Sequence, residues 1–206
     1  KYMIKMVRNE PMLDFFDRKA VFQKASELLI KDGYTRAGFE SYSLPNDPLT
    51  KSIREKKAVY NSLGTQKGEA TNFIAVGSSA HGVLNDQYYF QNFYEQDLYR
   101  KALKEGKFPI YRGLKMKPDD VIRREVIRHI RTFFNIEFDF FDKKYPYKFK
   151  DYFQKELINL KTMESDGLLK INENNIMLTP LGEHFSPQIA NVFDVYNDQE
   201  FYKRAI

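Results

Sequence analysis

The sequence predicts an α+β protein: a partial α/β, TIM-barrel-like segment over residues 1–106, followed by a helical, winged-helix-like domain over residues 107–206. Two observations support this fold class. In the first half a helix leads into a strand, and a second strand ends in small residues, as in the last βα units of an α/β sheet or barrel. In the second half the predicted order is helix, helix, hairpin, helix, which is typical of a winged-helix module.

The first elements follow from apolar spacing. Apolar residues at helical spacing predict an amphipathic helix over residues 17–32, with Asp17 as its cap and Gly33 just past its end. Residues 34–42 and 72–76 have the composition of short buried strands. This order of helix, strand and strand is what predicts the partial α/β segment.

Two polar or small-residue segments lie between these elements. Residues 77–82 (GSSAHG) follow a predicted strand, where small residues let the backbone approach a ligand, but a tight turn against the core explains them equally well. Residues 61–66 fit either a surface loop or one wall of a pocket. The aromatic residues within 88–94 could stack on a planar ligand or a base, but packing in the core is preferred. They lie beside the start of a helix predicted over about 92–105, which ends at Gly106.

The second half begins with a helix at Pro118. Proline suits the first helical position, and Asp119 and Asp120 in the first turn interact favourably with the helix dipole. One side of this helix is apolar, and another carries arginines. The apolar positions are Ile122, Val126, Ile130 and Phe133, and the arginines are Arg124, Arg128 and Arg131.

The rest of the second half completes the winged-helix order. A helix is predicted over about 149–165, and two short strands within 168–178 form a hairpin around the polar turn 172–175. Thr179 and Pro180 are predicted as the cap and first residue of a closing helix over about 180–195.

Composition excludes several classes of protein. The 206 residues are 42% hydrophobic and 30% charged, which excludes a disordered chain, and no apolar run reaches the roughly 18 residues that a membrane span requires. We therefore expect a soluble protein without a membrane partner. The absence of cysteine excludes disulfides, thiolate metal sites and a cysteine nucleophile within these residues. Three separated histidines predict no metal site, and because the sequence starts at Lys1 we expect it to be a piece of a longer chain.

A series of short motifs occurs in order between residues 33 and 196. They are Gly33-Tyr34, residues 38–49 (GFESYSLPNDPL), residues 74–80 (IAVGSSA), Gln91-Asn92, Gly106 with Pro109, Arg112-Gly113, residues 119–127, Asp166-Gly167-Leu168, residues 179–182 (TPLG) and residues 193–196 (FDVY). This collinear set resembles the oxygen-independent coproporphyrinogen III oxidases and their radical S-adenosylmethionine (SAM) relatives.

The resemblance implies different roles for the N-terminal and C-terminal parts of the protein. In that family an N-terminal partial barrel holds a 4Fe-4S cluster on a three-cysteine loop, the cluster cleaves SAM to a radical, and the radical oxidatively decarboxylates two propionates of the porphyrinogen. This chain corresponds to the C-terminal part, which forms the wall and lid of the pocket and does not ligate the cluster. Its implied partners are the N-terminal radical SAM half of the same polypeptide and a tetrapyrrole substrate, and the implied compartment is the cytoplasm.

The resemblance also implies site residues, with departures from the family pattern. Leu63, followed by Gly64, replaces a glutamine that helps to hold a second SAM, and His81, two residues after Ser79, replaces an isoleucine that packs against the same cofactor. Leu63, Gly64, Ser79 and His81 are therefore the implied cofactor-binding residues, in an altered site. No catalytic residue is assigned within this chain.

Two arginines are candidates for binding substrate carboxylates, because guanidinium groups bind carboxylates bidentately. Arg112 is the principal candidate and Arg123 the second. The structural alternatives are that Arg112 caps a turn and that Arg123 pairs with Asp119 or Asp120.

Three other functions remain open at the level of sequence. A winged-helix nucleic-acid-binding domain is compatible with a net charge of +5 and with the arginine face of the Pro118 helix, although the wing 169–178 contains no arginine. A divergent relative that acts on another tetrapyrrole, and a non-catalytic interaction domain with the same fold, are the other two.

Overall fold

The computed structural model describes residues 13–61, 64–68, 72–85 and 87–196. The helices are α1 (Phe15–Lys31), α2 (Pro48–Arg54), α3 (Gln96–Lys104), α4 (Pro118–Phe133), α5 (Phe138–Lys144), α6 (Phe149–Tyr152), α7 (Gln154–Ser165), α8 (Pro180–Glu183) and α9 (Ser186–Asn191). The strands are β1 (Thr35–Arg36), β2 (Tyr42–Ser43), β3 (Val59–Asn61), β4 (Gly64–Gln66), β5 (His81–Leu84), β6 (Tyr88–Asn92), β7 (Ile110–Lys115), β8 (Asn135–Glu137), β9 (Leu169–Ile171) and β10 (Asn175–Leu178). This mixture of helices and strands confirms the general α+β prediction.

The strands form small antiparallel sheets. β1 pairs with β2, β3 pairs with β4, and the two larger sheets have the orders β5-β6-β7 and β8-β10-β9. In the part of the chain that the structure describes, these sheets remain separate and do not close into a barrel.

The main apolar core lies in the second half of the chain. Its buried members are Ile122, Val126, Ile130, Ile136, Phe138, Phe141, Phe149, Phe153, Leu160, Leu169, Ile176, Leu178, Ile189, Ala190 and Phe193. Five of these are phenylalanines, and Phe153 contacts the rings of Phe141, Phe149 and Phe193. The core joins α4 to the β8-β10-β9 sheet and to the last helix.

The second half matches its sequence prediction in α4 and in the hairpin, but α5 was not predicted, and the helix predicted over 149–165 is divided at Phe153 into α6 and α7. α4 starts at Pro118, and the hairpin within 168–178 is present as β9 and β10. Thr179 caps the next helix, with its hydroxyl accepting a hydrogen bond from the Gly182 amide at 3.0 Å. The sequence missed β8, because this three-residue strand is defined only by its pairing with β10, about forty residues further along the chain.

Two helix predictions need correction, the first in the residue that caps the helix and the second in the continuity of the helix. The cap of α1 is Asp14, whose carboxylate accepts from the amide of Asp17 at 2.8 Å, so Asp17 lies in the first turn. The predicted closing helix over 180–195 is two short helices, α8 and α9. Pro187 lies at the start of α9, and its ring and missing N–H prevent a continuous helix from passing through this point.

The predicted strand over 34–42 is a hairpin of two-residue strands, β1 and β2. The prediction that 72–76 forms a buried strand is also wrong: only Phe73 pairs, through a single bridge to Val83, and Ile74 and Val76 are 74% and 85% exposed. The Ala75 carbonyl accepts instead from a side chain, that of Asn92.

The helix predicted from residue 92 begins at Gln96. The aromatic residues before it form strand β6, which pairs with β5 on one side and β7 on the other. The prediction that these aromatic residues pack in the core is wrong for Tyr88 and Tyr94, which are 42% and 61% exposed. The resulting three-stranded sheet, β5-β6-β7, carries most of the candidate site.

Candidate functional site

Three polar residues form a row across the β5-β6-β7 sheet. His81 on β5 is the register partner of Gln91 on β6, and Gln91 is the register partner of Arg112 on β7. Side chains of directly opposed residues share one face of a sheet, with Cβ atoms roughly 5 Å apart. The sequence-predicted residues His81 and Arg112 are therefore brought to one face, on either side of Gln91, and both are exposed.

The Gln91 side chain joins this row to Ser79. Its Nε2 donates to the carbonyl oxygen of Ser79 at 3.1 Å, and its Oε1 accepts from Nε of Arg112 at 2.9 Å. Three of the predicted site residues, Ser79, His81 and Arg112, thus surround one amide. The prediction that Arg112 caps a turn is not what the structure has, since Arg112 lies within β7.

The loop that carries Ser79 is held from the other face of β6 by Asn92. This side chain is 2% exposed, and its Nδ2 donates to the carbonyl oxygens of Ala75 at 3.2 Å and Gly77 at 3.0 Å. The Ser79 amide donates to Phe93 O at 2.8 Å, and Ser79 has a φ of 60°. Backbone and side-chain hydrogen bonds therefore fix the conformation of this loop.

We expect Asn92→Ala to destabilise the chain by about 2 to 3 kcal/mol, because it leaves two carbonyl groups near a buried position without their donor. The measurement is urea unfolding, combined with hydrogen exchange at the Ser79 amide, which should exchange faster in the variant. Asn174→Ala, at an exposed turn position, is the matched control. Equal effects of the two substitutions would contradict the proposed clamp.

A cavity lies next to the polar row, on the same face of the sheet. Tyr89 and Leu114 are register partners two residues from Gln91 and Arg112, so their side chains lie about 7 Å along the strands from that row. The cavity has a volume of about 280 Å³. Its walls are Tyr89, Leu114, Met116, Asp120, Arg123, Arg124, Ile127, Phe193, Asp194, Val195 and Tyr196. An apolar cavity thus adjoins an exposed guanidinium group.

Arg123, the second candidate for binding carboxylates, is committed to internal ion pairs. Its guanidinium donates to Asp119 at 2.8 Å and to the buried Glu156 at 2.7 Å. The sequence alternative, pairing with Asp119, is confirmed. Burial raises the pKa of Asp119, but hydrogen bonds from Tyr152 and Arg123 outweigh it, so this pKa lies below its ordinary value. Arg123 is therefore a structural residue.

The remaining predicted site residues lie elsewhere. Gly64 starts β4, with a φ of 88°, and pairs with Asn61 in the β3-β4 hairpin, a sheet separate from β5-β6-β7. Leu63 lies outside the described residues. The structure therefore does not bring Gly64 into the group formed by Ser79, His81 and Arg112.

The arginine face of α4 packs against the first half of the chain. Arg131 lies over the rings of Phe39 and Tyr60, with centroid distances of 5.1 and 4.4 Å, and donates to the Tyr60 hydroxyl at 2.6 Å. Arg124 donates to the Tyr89 hydroxyl at 3.2 Å. Because these side chains are used within the protein, the alternative of a nucleic-acid-binding domain is not favoured.

Sequence reasoning missed Gln91 and Asn92 as site residues. Both were noted only as a motif, and the available signal was an adjacent pair of amides within an alternating strand, whose side chains must point to opposite faces.

No group of three or more histidine or acidic residues that could hold a metal ion occurs in the described ranges. The same part of the chain contains no helix long and apolar enough to cross a membrane.

Comparison with known proteins gives a consistent picture. Residues 116–183 match the HemN C-terminal domain family. The oxygen-independent coproporphyrinogen III oxidase of Synechocystis sp. is 30% identical over 198 residues, covering 92% of this chain and 42% of that protein. The enzyme of the same name from Helicobacter pylori strain J99 is 28% identical over 180 residues, covering 87% of this chain and 39% of that protein.

The structural comparison agrees. The structure of coproporphyrinogen III oxidase (HemN) from Escherichia coli, described as a radical SAM enzyme, matches with a TM-score of 0.82 at 27% identity, over 89% of this chain and 42% of that one. The matches confirm the resemblance predicted from the motifs. The chain spans about two fifths of the length of these relatives.

Proposed function

We propose, from the match of residues 116–183 to the HemN C-terminal domain family, that the chain is the C-terminal part of a coproporphyrinogen III oxidase-like radical SAM protein of haem biosynthesis. In this role it supplies the wall and lid of the substrate pocket. The observation that carries the proposal is the fold match to the E. coli enzyme over 89% of this chain.

The residues of this chain do not fit a 4Fe-4S cluster, because clusters of this kind are held by cysteine thiolates and the chain contains no cysteine. The cluster of the family therefore belongs to the proposed partner, the N-terminal radical SAM half of the same polypeptide. SAM supplies the radical chemistry of the family when it is bound there. What this chain contributes is binding, orientation and exclusion of water.

The proposed substrate-facing surface is the β5-β6-β7 face that carries Arg112 and the adjoining cavity. A tetrapyrrole combines a flat apolar ring system with carboxylate side chains. The cavity wall formed by Tyr89 and Leu114 can pack against the edge of the ring system. Arg112 lies about 7 Å from this wall along the strand and can bind a propionate. The Nε of Arg112 is used by Gln91, so its two Nη atoms are the donors for a carboxylate.

We propose Ser79, His81, Gly64 and Leu63 as the residues that contact SAM; of these, Gly64 lies in the separate β3-β4 hairpin. The backbone amide of Ser79 is bonded to Phe93 and its carbonyl to the Gln91 side chain, which leaves its hydroxyl and the exposed His81 ring for a ligand. The cytoplasm is the proposed compartment, in keeping with the oxygen-sensitive cluster of the family.

The finer architecture is also part of the proposal. We propose that residues 107–206 form a winged-helix-like domain, supported by the order of α4, β8, α5 to α7, β9 and β10 and by the antiparallel β8-β10-β9 sheet. We propose that residues 1–106 are the end of a partial barrel. The exposed Ile74 and Val76 support this, because the missing half of the polypeptide would cover them.

The test is a titration of the chain with coproporphyrin III and, separately, with SAM, followed by absorbance or fluorescence. We expect saturable coproporphyrin binding, and we expect Arg112→Ala to weaken it about ten- to hundredfold, since a charge-assisted pair with a carboxylate contributes roughly 1.5 to 3 kcal/mol. The tetramethyl ester of the same porphyrin should bind equally to both proteins.

Lys115→Ala is the matched control, because it removes one positive charge from the same strand, on the opposite face of the sheet. A tenfold loss in this control would indicate a non-specific charge effect. If neither coproporphyrin nor SAM binds saturably, the chain is a scaffold without a ligand-contacting surface.

A further inference from the structure

Gln91 occupies the centre of the polar row, and its side chain contacts Arg112 at one end of the row and the loop that carries Ser79. Its amide reaches the Ser79 loop at 3.1 Å and Arg112 at 2.9 Å. On β5 its register partner is His81. One uncharged side chain therefore links the Ser79 loop, proposed to contact SAM, to the arginine proposed to bind the substrate.

The partners of Gln91 fix the orientation of its amide. A guanidinium group only donates, so it requires the amide oxygen, and a backbone carbonyl only accepts, so it requires the amide nitrogen. Glutamate has no donor for the Ser79 carbonyl and would form an ion pair with Arg112. Alanine has neither group. Of these side chains, only the amide serves both partners while leaving the charge of Arg112 free for a ligand.

The contact with Gln91 restricts Arg112. An exposed arginine on a strand has several rotatable bonds, and a ligand must immobilise it on binding. With Nε held by Gln91, the plane of the guanidinium is restricted before the ligand arrives, and its Nη atoms are the donors left for a carboxylate. Asn92, on the other face of β6, holds the Ser79 loop to which Gln91 is anchored.

We infer that Gln91 is a positioning residue, which orients Arg112 for a substrate carboxylate and couples that arginine to the Ser79 loop. The inference rests on the proposed function, because it takes Arg112 as the carboxylate-binding residue. In this inference Gln91 does not bind the ligand directly and acts only by orienting Arg112.

The test is a double-mutant cycle, with the affinity for coproporphyrin III measured for the unmodified chain, Gln91→Ala, Arg112→Ala and the double variant. We expect Gln91→Ala to weaken binding about two- to tenfold, from the cost of ordering one long side chain. In the Arg112→Ala background the same substitution should have no further effect. Gln96→Ala, an exposed glutamine on α3, is the matched control and should bind like the unmodified chain.

The affinities of these variants distinguish a failure of the inference about Gln91 from a failure of the proposed function. If Arg112→Ala binds normally, Arg112 is not the carboxylate-binding residue, and both ideas are wrong. If Arg112→Ala weakens binding but Gln91→Ala weakens it by the same factor in both backgrounds, only the inference is overturned, because Gln91 then acts independently of Arg112.

A second measurement tests the hydrogen bond between Gln91 and Arg112 without a ligand. It includes the unmodified chain, so it gives a result even if a variant folds poorly. The Nε–H resonance of Arg112 in NMR spectra should be protected from exchange with water in the unmodified chain and in Gln96→Ala. It should exchange rapidly in Gln91→Ala. Gln91→Glu should keep the resonance protected, because a carboxylate also accepts from Nε, yet bind coproporphyrin more weakly than Gln91→Ala does. An unprotected resonance in the unmodified chain would overturn the inference.

Discussion

Gly182→Ala is expected to destabilise the chain by about 4 kcal/mol or more, so that little folded protein accumulates. A Cβ at position 182 would lie 1.6 Å from the backbone oxygen of Leu168, and backbone cannot rotate away as a side chain can. The same oxygen accepts hydrogen bonds from the amide and hydroxyl of Thr179 at 3.0 and 3.2 Å. The substitution therefore separates α8 from the start of β9 and breaks the cap.

Helix propensity alone predicts the opposite sign, since alanine is about 1 kcal/mol better than glycine within a helix. The comparison variant is Gly167→Ala, whose Cβ would meet nothing within 4 Å. Its φ of 73° is left-handed, which costs an alanine roughly 1 to 2 kcal/mol. Denaturant unfolding of both variants measures the difference. Equal stabilities would show that α8 and Leu168 move apart at little cost.

Phe153→Ala is expected to lower the free energy of unfolding by about 3 to 5 kcal/mol. Phe153 is fully buried between α6 and α7, where it contacts the rings of Phe141, Phe149 and Phe193. The guanidinium of Arg123 also lies 5.5 Å from its ring centroid. Truncation leaves a cavity at the centre of the second-half core and removes this contact.

Chemical denaturation of the chain measures this effect, and Phe108→Ala provides the control, because Phe108 is 85% exposed and its truncation should change stability by less than about 0.5 kcal/mol. Phe153→Leu should fall between the two. A Phe153→Ala variant that unfolds within 1 kcal/mol of the unmodified chain would mean that the aromatic cluster is not the centre of the core.

The Phe153 cluster belongs to the half of the chain that the sequence describes well. The sequence signals in this half are local, because each depends on only a few neighbouring residues. They are the apolar spacing on α4, the proline and aspartates of its first turn, and the Thr179 cap. The first half was predicted less well, because residues 72–76 and 88–92 are both rich in apolar and aromatic residues. Such composition alone does not distinguish a buried strand from an exposed loop or a helix start.

The roles of Ser79, His81 and Arg112 stay predictions, the first two from a resemblance and the third from the chemistry of arginine. Nothing local in the sequence indicated that His81 and Arg112 share a face of one sheet, beside the Ser79 loop. Gly64 was identified on the same basis, and it lies in a different sheet. The role of Gln91 depends on partners 12 residues before it and 21 residues after it.

The sequence by itself determined the resemblance to HemN, the absence of cysteine ligands for a cluster, and the positions of α4 and of the β9-β10 hairpin, because motifs, composition, caps and apolar periodicity act over short stretches of chain. Only the tertiary structure decided that β5, β6 and β7 pair in antiparallel register, that Arg123 is consumed by Asp119 and Glu156, and that Arg112 remains exposed beside a cavity. Strand register and ion pairing join residues far apart along the chain, and their free energies depend on the burial and geometry that folding creates.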